Sequence, residues 1–483
     1  MAPSDSEPAR DRPLLVLLTS HWLSFLGMGL VGTALISWLF VLPLQLRGHV
    51  DNPYIGILVF MVIPIVLVAG LVLTPVGVFL ARKRARQRLA EQVVDRKAAA
   101  RRMIVFLAAV TLVNVVVGTQ ATYRAVEHME SVQFCGQTCH VMTPELRAHA
   151  VSPHARVACV ECHVGEGARG WVESKMAGTR QLFEVARNSY PRPIPSAIET
   201  NKLVPARETC ETCHWPEKFS AARLKLITKF AEDEANTASQ TVLMMMVGGS
   251  LTAGIHGSHF GPGVEIRFAA ADKKRQKIPW VEVRDTRKGE TRSYRAADAA
   301  ADVENDLPRH VMQCVDCHNR PTHAFDLPER AVDKSMSVGR LPTALPFLKK
   351  KSVELLKATY ASNAEAGTRI PAALAAYYRE AYPKIASERE SDIAAAAKTL
   401  VRIFDTNVFP DLKVGWGTYP NNLGHEAFPG CFRCHDDQHK AADGKTITQD
   451  CGACHEAVAM EESSPEVLRT LGLEARILAL RKK

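Results

Sequence analysis

All twelve cysteines of this chain fall into six pairs, and each pair is closed by a histidine. Cys159/Cys162, Cys210/Cys213, Cys314/Cys317, Cys431/Cys434 and Cys451/Cys454 have the spacing Cys-x-x-Cys and are followed at once by His163, His214, His318, His435 and His455. Cys135/Cys139 has one extra spacer residue before His140. A lone Cys-x-x-Cys fits a zinc ligand pair or a redox dithiol, but neither requires a histidine after every second cysteine. Covalent haem attachment does: two thiols become thioethers to the vinyl groups and the adjacent imidazole reaches the iron. The expectation is six c-type haems, the first at an irregular site. Such haems are attached outside the bacterial cytoplasm, and no cysteine remains for a disulfide or a catalytic thiol.

Each haem iron has a second axial position, and the group that fills it helps to set the potential or leaves the iron open to substrate. Ten further histidines lie outside the apolar N-terminal runs: His49, His128, His149, His154, His256, His259, His310, His323, His425 and His439. Nearness to an attachment motif selects His154, His323, His425 and His439. His256 follows, because it sits in Gly-Ile-His-Gly-Ser-His, where glycine lets backbone approach a haem edge closely. The alternative for each is a surface or hydrogen-bonded histidine.

The elements that must position these groups begin with three long apolar runs, 14–44, 55–80 and 103–118, the last extendable through 119–123. About 20 apolar residues cross a bilayer core, so each run is expected to be a transmembrane helix. The net charge of +9 would suit a nucleic-acid binder, but nine basic residues against two acidic ones lie between Arg82 and Arg102. The basicity is therefore a topology signal: the positive-inside rule puts this loop in the cytoplasm, the N-terminus with it, and everything after Tyr123 outside. Haem attachment demands the same side. Expected partners are the lipid bilayer and redox proteins, with no nucleic acid. His21, in the first run, has no second histidine in another span and reads as a hydrogen-bonded residue.

The expected fold is mainly α: a three-helix membrane anchor (1–123) and a periplasmic multihaem region with a small β-containing insertion. Within that region 124–220 carries three haem motifs and 221–310 none, with β-like runs at 264–268 and 278–283. The fourth motif occupies 311–326. A helical haem-free stretch, 327–405, follows, with helices expected at 345–356 and 372–404. The last two haems lie within 406–483, which ends in an amphipathic helical pattern at 465–483.

From Phe134 to His163 the chain reads FCGQTCHVMTPELRAHAVSPHARVACVECH, and Cys314 to His323 reads CVDCHNRPTH. Met142 two residues after His140, and His154 shortly before the second motif, make these segments resemble the NapC/NirT family of membrane-anchored quinol dehydrogenases, NrfH included. The resemblance implies that Met142 displaces His140 as axial ligand of the first haem and that the substrate is a membrane quinol. It also implies that the helix after the second motif approaches the quinol. NrfH-like members place a lysine and, six residues on, an aspartate there; Lys175 matches the lysine, and Gln181 stands at the aspartate. Glutamine can hydrogen-bond a quinol hydroxyl but cannot take its proton, whereas Glu184, one turn on, can. Trp171, Gly178, Leu182 and Val185 share one face of this helix, as suits a helix in the membrane interface. The alternative for Lys175 and Glu184 is a solvated helix face.

The chain departs from that family in having three apolar runs instead of one, an extra residue in the first motif, the insertion 221–310 and two further haems. This layout resembles the larger inner-membrane cytochromes of metal-respiring bacteria. Three functional readings stand: a menaquinol-oxidising cytochrome that feeds periplasmic cytochromes or reductases, a haem subunit that wires a larger membrane complex, and a terminal reductase with an open iron.

Overall fold

The computed structural model describes residues 14–46, 61–87, 96–118, 120, 123–124, 127–128, 131–138, 140–164, 167–200, 204–215, 222–248, 254–300 and 302–473. The chain is mainly helical with two antiparallel sheets. It divides into two compact units, Met1–Cys135 with Ala158–Ala186, and Gly136–Val157 with Arg187–Lys483.

The first unit holds helices α1 (Trp22–Leu46), α2 (Ile63–Gln87), α3 (Arg96–Val113) and α4 (Gly167–Ala186). Helix closes every backbone hydrogen bond within the segment, as a lipid environment requires. The stretches Ile63–Arg84 and Lys97–Val116 are long and apolar enough to cross a membrane. Large apolar side chains on them, such as Ile65, Leu71, Phe79, Ile104 and Leu112, face outward. The first expected span is also helical, but its described apolar run, Trp22–Trp38, is shorter than the other two. Helix α1 packs tightly on α2. A Cβ added to Gly70 would stand 2.7 Å from the Gly27 carbonyl oxygen and 2.8 Å from the Val31 amide nitrogen, so only glycine permits this approach. His49 and most of the loop between α2 and α3 lie outside the described residues.

The second unit has a helical core built from α6 (Pro328–Ser337), α7 (Leu348–Lys357), α8 (Asn363–Ala381) and α9 (Glu390–Asn407), which follow the short helix α5 (Ile255–Phe260) in the chain. Leu356, Ile370, Leu374, Tyr378 and Leu400 are fully buried between them. Ser362 caps α8 by accepting the Glu365 amide, while the Glu365 carboxylate accepts the Ala361 amide at 2.6 Å. The stretch expected to be helical over 372–404 is shared among three helices, and the first break falls at Pro383, which cannot donate to the preceding turn and begins the separate helix Pro383–Glu388.

One sheet has the order β1-β2-β7 (Arg223–Phe230, Ala238–Met245, His455–Glu462), the other β5-β4-β3-β6 (Glu290–Arg295, Trp280–Asp285, Val264–Ala269, Arg309–Val311). The β1–β2 turn is pinned to the helical core by buried Asn236. Its amide donates to the Thr343 and Leu345 carbonyls at 3.0 and 2.8 Å and its oxygen accepts the Lys349 amide at 2.8 Å. Buried Lys349 pairs with Asp333 at 2.6 Å, and Asp333 also accepts the Phe230 amide. The expected terminal helix is the short Glu466–Thr470; residues 474–483 lie outside the described residues.

Candidate haem centres

The regularly spaced attachment motifs fold as tight turns. The amides of His214, His318 and His435 donate to the carbonyls of Cys210, Cys314 and Cys431, four residues back, at 2.8, 2.8 and 3.0 Å. One turn of this pitch brings two thiols and an imidazole to the same side of the backbone. Cys159, Cys162 and His163 lie in the turn Cys159–His163, and Cys451 opens the turn Cys451–Ala453 just before Cys454 and His455. Cys135 lies in the turn Phe134–Thr138; Cys139 lies outside the described residues. His140 and partly buried Met142 share the turn His140–Met142. A hydrogen bond from Cys135 is the main cause that lowers the Cys159 thiol to about 7, so the first cysteines of the first two motifs are neighbours.

The cysteines differ in how far the protein encloses them. Cys213 is exposed, as are Cys431 and Cys451. Its amide donates to the Cys210 carbonyl at 3.2 Å, and the Thr212 hydroxyl donates to its sulfur at 3.9 Å. The turn thus fixes the Cys213 backbone, while the polypeptide itself does not bury the thiol. A thioether needs only one open side of the sulfur toward a vinyl group, so exposure leaves Cys213 accessible for attachment but gives no pocket of its own.

Do these residues fit haem or a thiolate-bound metal? Among the described residues no three His, Cys, Asp or Glu side chains converge as a metal cage. Burial pushes the Cys317 thiol up to about 11 and the Cys434 thiol up to about 12, so both sulfurs are uncharged in the free chain. The Nδ1 of His455 is buried without a hydrogen-bond partner.

The histidines supply the clearest sign. The rings of His154 and His214 lie 5.9 Å apart, His256 and His318 6.3 Å, His259 and His435 5.8 Å, and His425 and His455 6.1 Å. Each pair joins one motif histidine to one histidine from elsewhere. Two imidazoles bound through nitrogen to opposite sides of one metal, with bonds of roughly 2 Å, have ring centres roughly 6 Å apart. These separations therefore match a shared axial metal and not a hydrogen bond between rings.

Tautomers fit as well. The Nδ1 atoms of His154, His259, His323 and His435 lie 3.2, 2.7, 3.1 and 2.8 Å from the carbonyl oxygens of Pro321, Ile255, Glu145 and Thr448. A proton on Nδ1 donated to a carbonyl leaves Nε2 as the bare, ligating nitrogen. Burial pushes His259 and His318 below the usual histidine range, which keeps them neutral.

Of the histidines singled out by nearness to a motif, the structure brings His154 and His425 against attachment histidines. His256 also meets one. His439 does not: it is buried with Nδ1 at 2.9 Å from Asp436 and Nε2 at 2.7 Å from the Ile278 carbonyl, so both nitrogens are occupied. His259 takes the place beside His435. It was legible only as the second histidine of Gly-Ile-His-Gly-Ser-His, three residues after His256 and thus on the same face of one turn.

Lys175 lies on α4, its side chain outside the described residues. Gln181 is exposed, and the Glu184 carboxylate accepts from Arg180 at 2.8 Å. Met176, Leu182 and Phe183 on the same helix are exposed, while Val185 is half-buried. His21 accepts the Leu23 amide on Nδ1 at 3.2 Å.

The N-terminal region of the NapC/NirT cytochrome c family matches residues 97–204. The cytochrome c-type protein ImcH of Geobacter sulfurreducens is 38% identical over 456 residues, which span 91% of this chain and 88% of that protein. No solved structure matches the chain. Attachment turns, paired imidazoles and similarity along nearly the whole length agree, and the chain belongs to the NapC/NirT cytochrome c family.

Proposed function

We propose that the chain is a six-haem inner-membrane cytochrome that oxidises membrane quinol, menaquinol by its resemblance to NrfH-like proteins, and passes the electrons to a periplasmic cytochrome or reductase. One observation carries the reading: four attachment histidines each face a second imidazole at the spacing of a shared axial metal. At these four sites the paired imidazoles would hold an iron with no position left for a substrate, which favours electron transfer over reductase chemistry. Bound haem supplies the one-electron redox step. Met142 is the proposed axial ligand at the first site, replacing His140.

In this reading α1, α2 and α3 all span the membrane, the basic loop stays in the cytoplasm and the haem region lies in the periplasm. Helix α4 is the place where quinol approaches. Its exposed Met176, Leu182 and Phe183 suit the lipid interface. Lys175 orients a quinol oxygen, Gln181 hydrogen-bonds the second, and Glu184 takes a proton at the cost of its ion pair with Arg180.

The test is haem reduction by a reduced menaquinol analogue in detergent, followed at the α-band. Wild type is expected to be reduced rapidly, Lys175→Leu at least about tenfold more slowly, as for loss of a positioning group, and Glu184→Gln with a lost acidic limb in its pH profile. If wild type is not reduced at all while copurifying with other membrane subunits, the protein is an electron-wiring subunit and not a quinol dehydrogenase.

A further inference from the structure

The segment 221–310 lies outside the region matched by the family and contains no attachment motif. Its short helix α5 nevertheless stands between two haem sites. Gly254 enters the helix at φ +129°, and a Cβ there would meet the Met246 carbonyl oxygen at 2.6 Å. That bend lets the amides of Ile255 and His256 donate to the Met246 and Val247 carbonyls, both at 2.9 Å, so α5 is tied to the end of β2. From this fixed turn His256 reaches His318 of the fourth motif, and His259 reaches His435 of the fifth.

The His259–His435 pair is set up most completely. Both Nδ1 atoms are engaged with backbone carbonyls, at 2.7 Å to Ile255 and 2.8 Å to Thr448, and both Nε2 atoms are left to ligate. The two motifs are also joined independently of α5. Arg433, inside the fifth motif, donates to the Asp316 carbonyl of the fourth at 2.7 Å and to the Arg275 carbonyl at 2.8 Å. Arg275 in turn makes a largely buried ion pair with Asp316 at 2.6 Å. The fourth and fifth sites are therefore held as neighbours by the protein itself.

We infer that one turn of the insertion, Ile255–Phe260, supplies the distal axial ligand to two different haems: His256 to the haem at Cys314/Cys317 and His259 to the haem at Cys431/Cys434. The inference rests on the reading of these motifs as haem sites and adds the purpose of the insertion. It joins the family-like core to the two added haems through one rigid ligand carrier. His439, closer to Cys434 in sequence, has no part in this.

The test uses the full-length holoprotein in detergent, with haem counted by pyridine haemochrome and spin state read by low-temperature EPR. The expectation is unchanged haem content in His256→Ala and His259→Ala, with one equivalent of high-spin ferric haem in each and two in the double variant. Added imidazole returns each to low spin. His439→Gln stays fully low-spin. His259→Met retains a ligand and is the check against misfolding: it is expected to stay low-spin with one haem raised in midpoint potential. All haems remaining low-spin in both alanine variants, or an unshifted set of potentials in His259→Met, overturns the inference while leaving haem attachment intact. A wild-type protein with no haem at Cys314/Cys317 or Cys431/Cys434 by peptide mass overturns the reading beneath it instead.

Discussion

At the scale of the residue, what separates the proposed ligating histidines from a structural one is the use of the two ring nitrogens. His259 and His435 each engage Nδ1 with a carbonyl, whereas His439 has Asp436 on one nitrogen and Ile278 on the other. His439→Gln is therefore expected to lose about 1–3 kcal/mol of stability through an unsatisfied buried group, with haem spectra unchanged; denaturant unfolding beside an absorption spectrum checks both. The attachment cysteines were legible in the sequence because their chemistry is local, within one turn of chain. How far each thiol is enclosed was not legible: Cys434 is covered by distant chain, while Cys213 stays exposed. Distal histidines are not local either. Nearness in sequence singled out His154, His425 and His439; in the structure the first two rings lie beside attachment histidines, whereas the His439 ring faces Asp436, three residues before it. His259 was hidden by His256, although a spacing of three in one helical turn puts both on one face.

At the scale of the element, close approach between α1 and α2 depends on glycine. Gly70→Leu would force side-chain atoms against the Gly27 and Val31 backbone, and a cost of about 1–3 kcal/mol is expected, read as a lower midpoint in detergent thermal unfolding. Gly118, with nothing within 4 Å of an added Cβ, is the control and is expected to accept alanine. Helices α7 to α9 were foreseeable from their alanine, leucine and charge content, and their interruption follows from Pro383. Strand β7 was not. Its sequence HEAVAMEE carries little hydrophobic patterning, and the strand exists because β2 offers a partner, with Met245 opposite His455. Its stability lies in that distant pairing and not in its own composition.

At the scale of the whole molecule, the proposed topology rests on where the charge and the attachment motifs lie along the chain. The basic residues of 82–102 precede every attachment cysteine. Protease added to spheroplasts is expected to digest the region after Tyr123 while sparing the 82–102 loop, and the intact mass of the purified protein is expected to exceed that of the polypeptide by six haems. Resistance of the C-terminal half in spheroplasts that are cut freely only after lysis would reverse the topology. The mainly α class and the β-containing insertion were readable from pattern. The role of the insertion as a surface against which later haem motifs pack was not, because it depends on contacts between residues far apart in the chain, such as Arg433 with Arg275.

The pairing of β2 with β7 also imposes an order on biogenesis. The hairpin of β1 and β2 is complete in the growing chain long before β7 is made, since Gln240 must wait for Glu462. Until then the free edge of β2 is a sticky template that a neighbouring nascent chain could adopt. Pairing with β7 then covers that edge and removes the template.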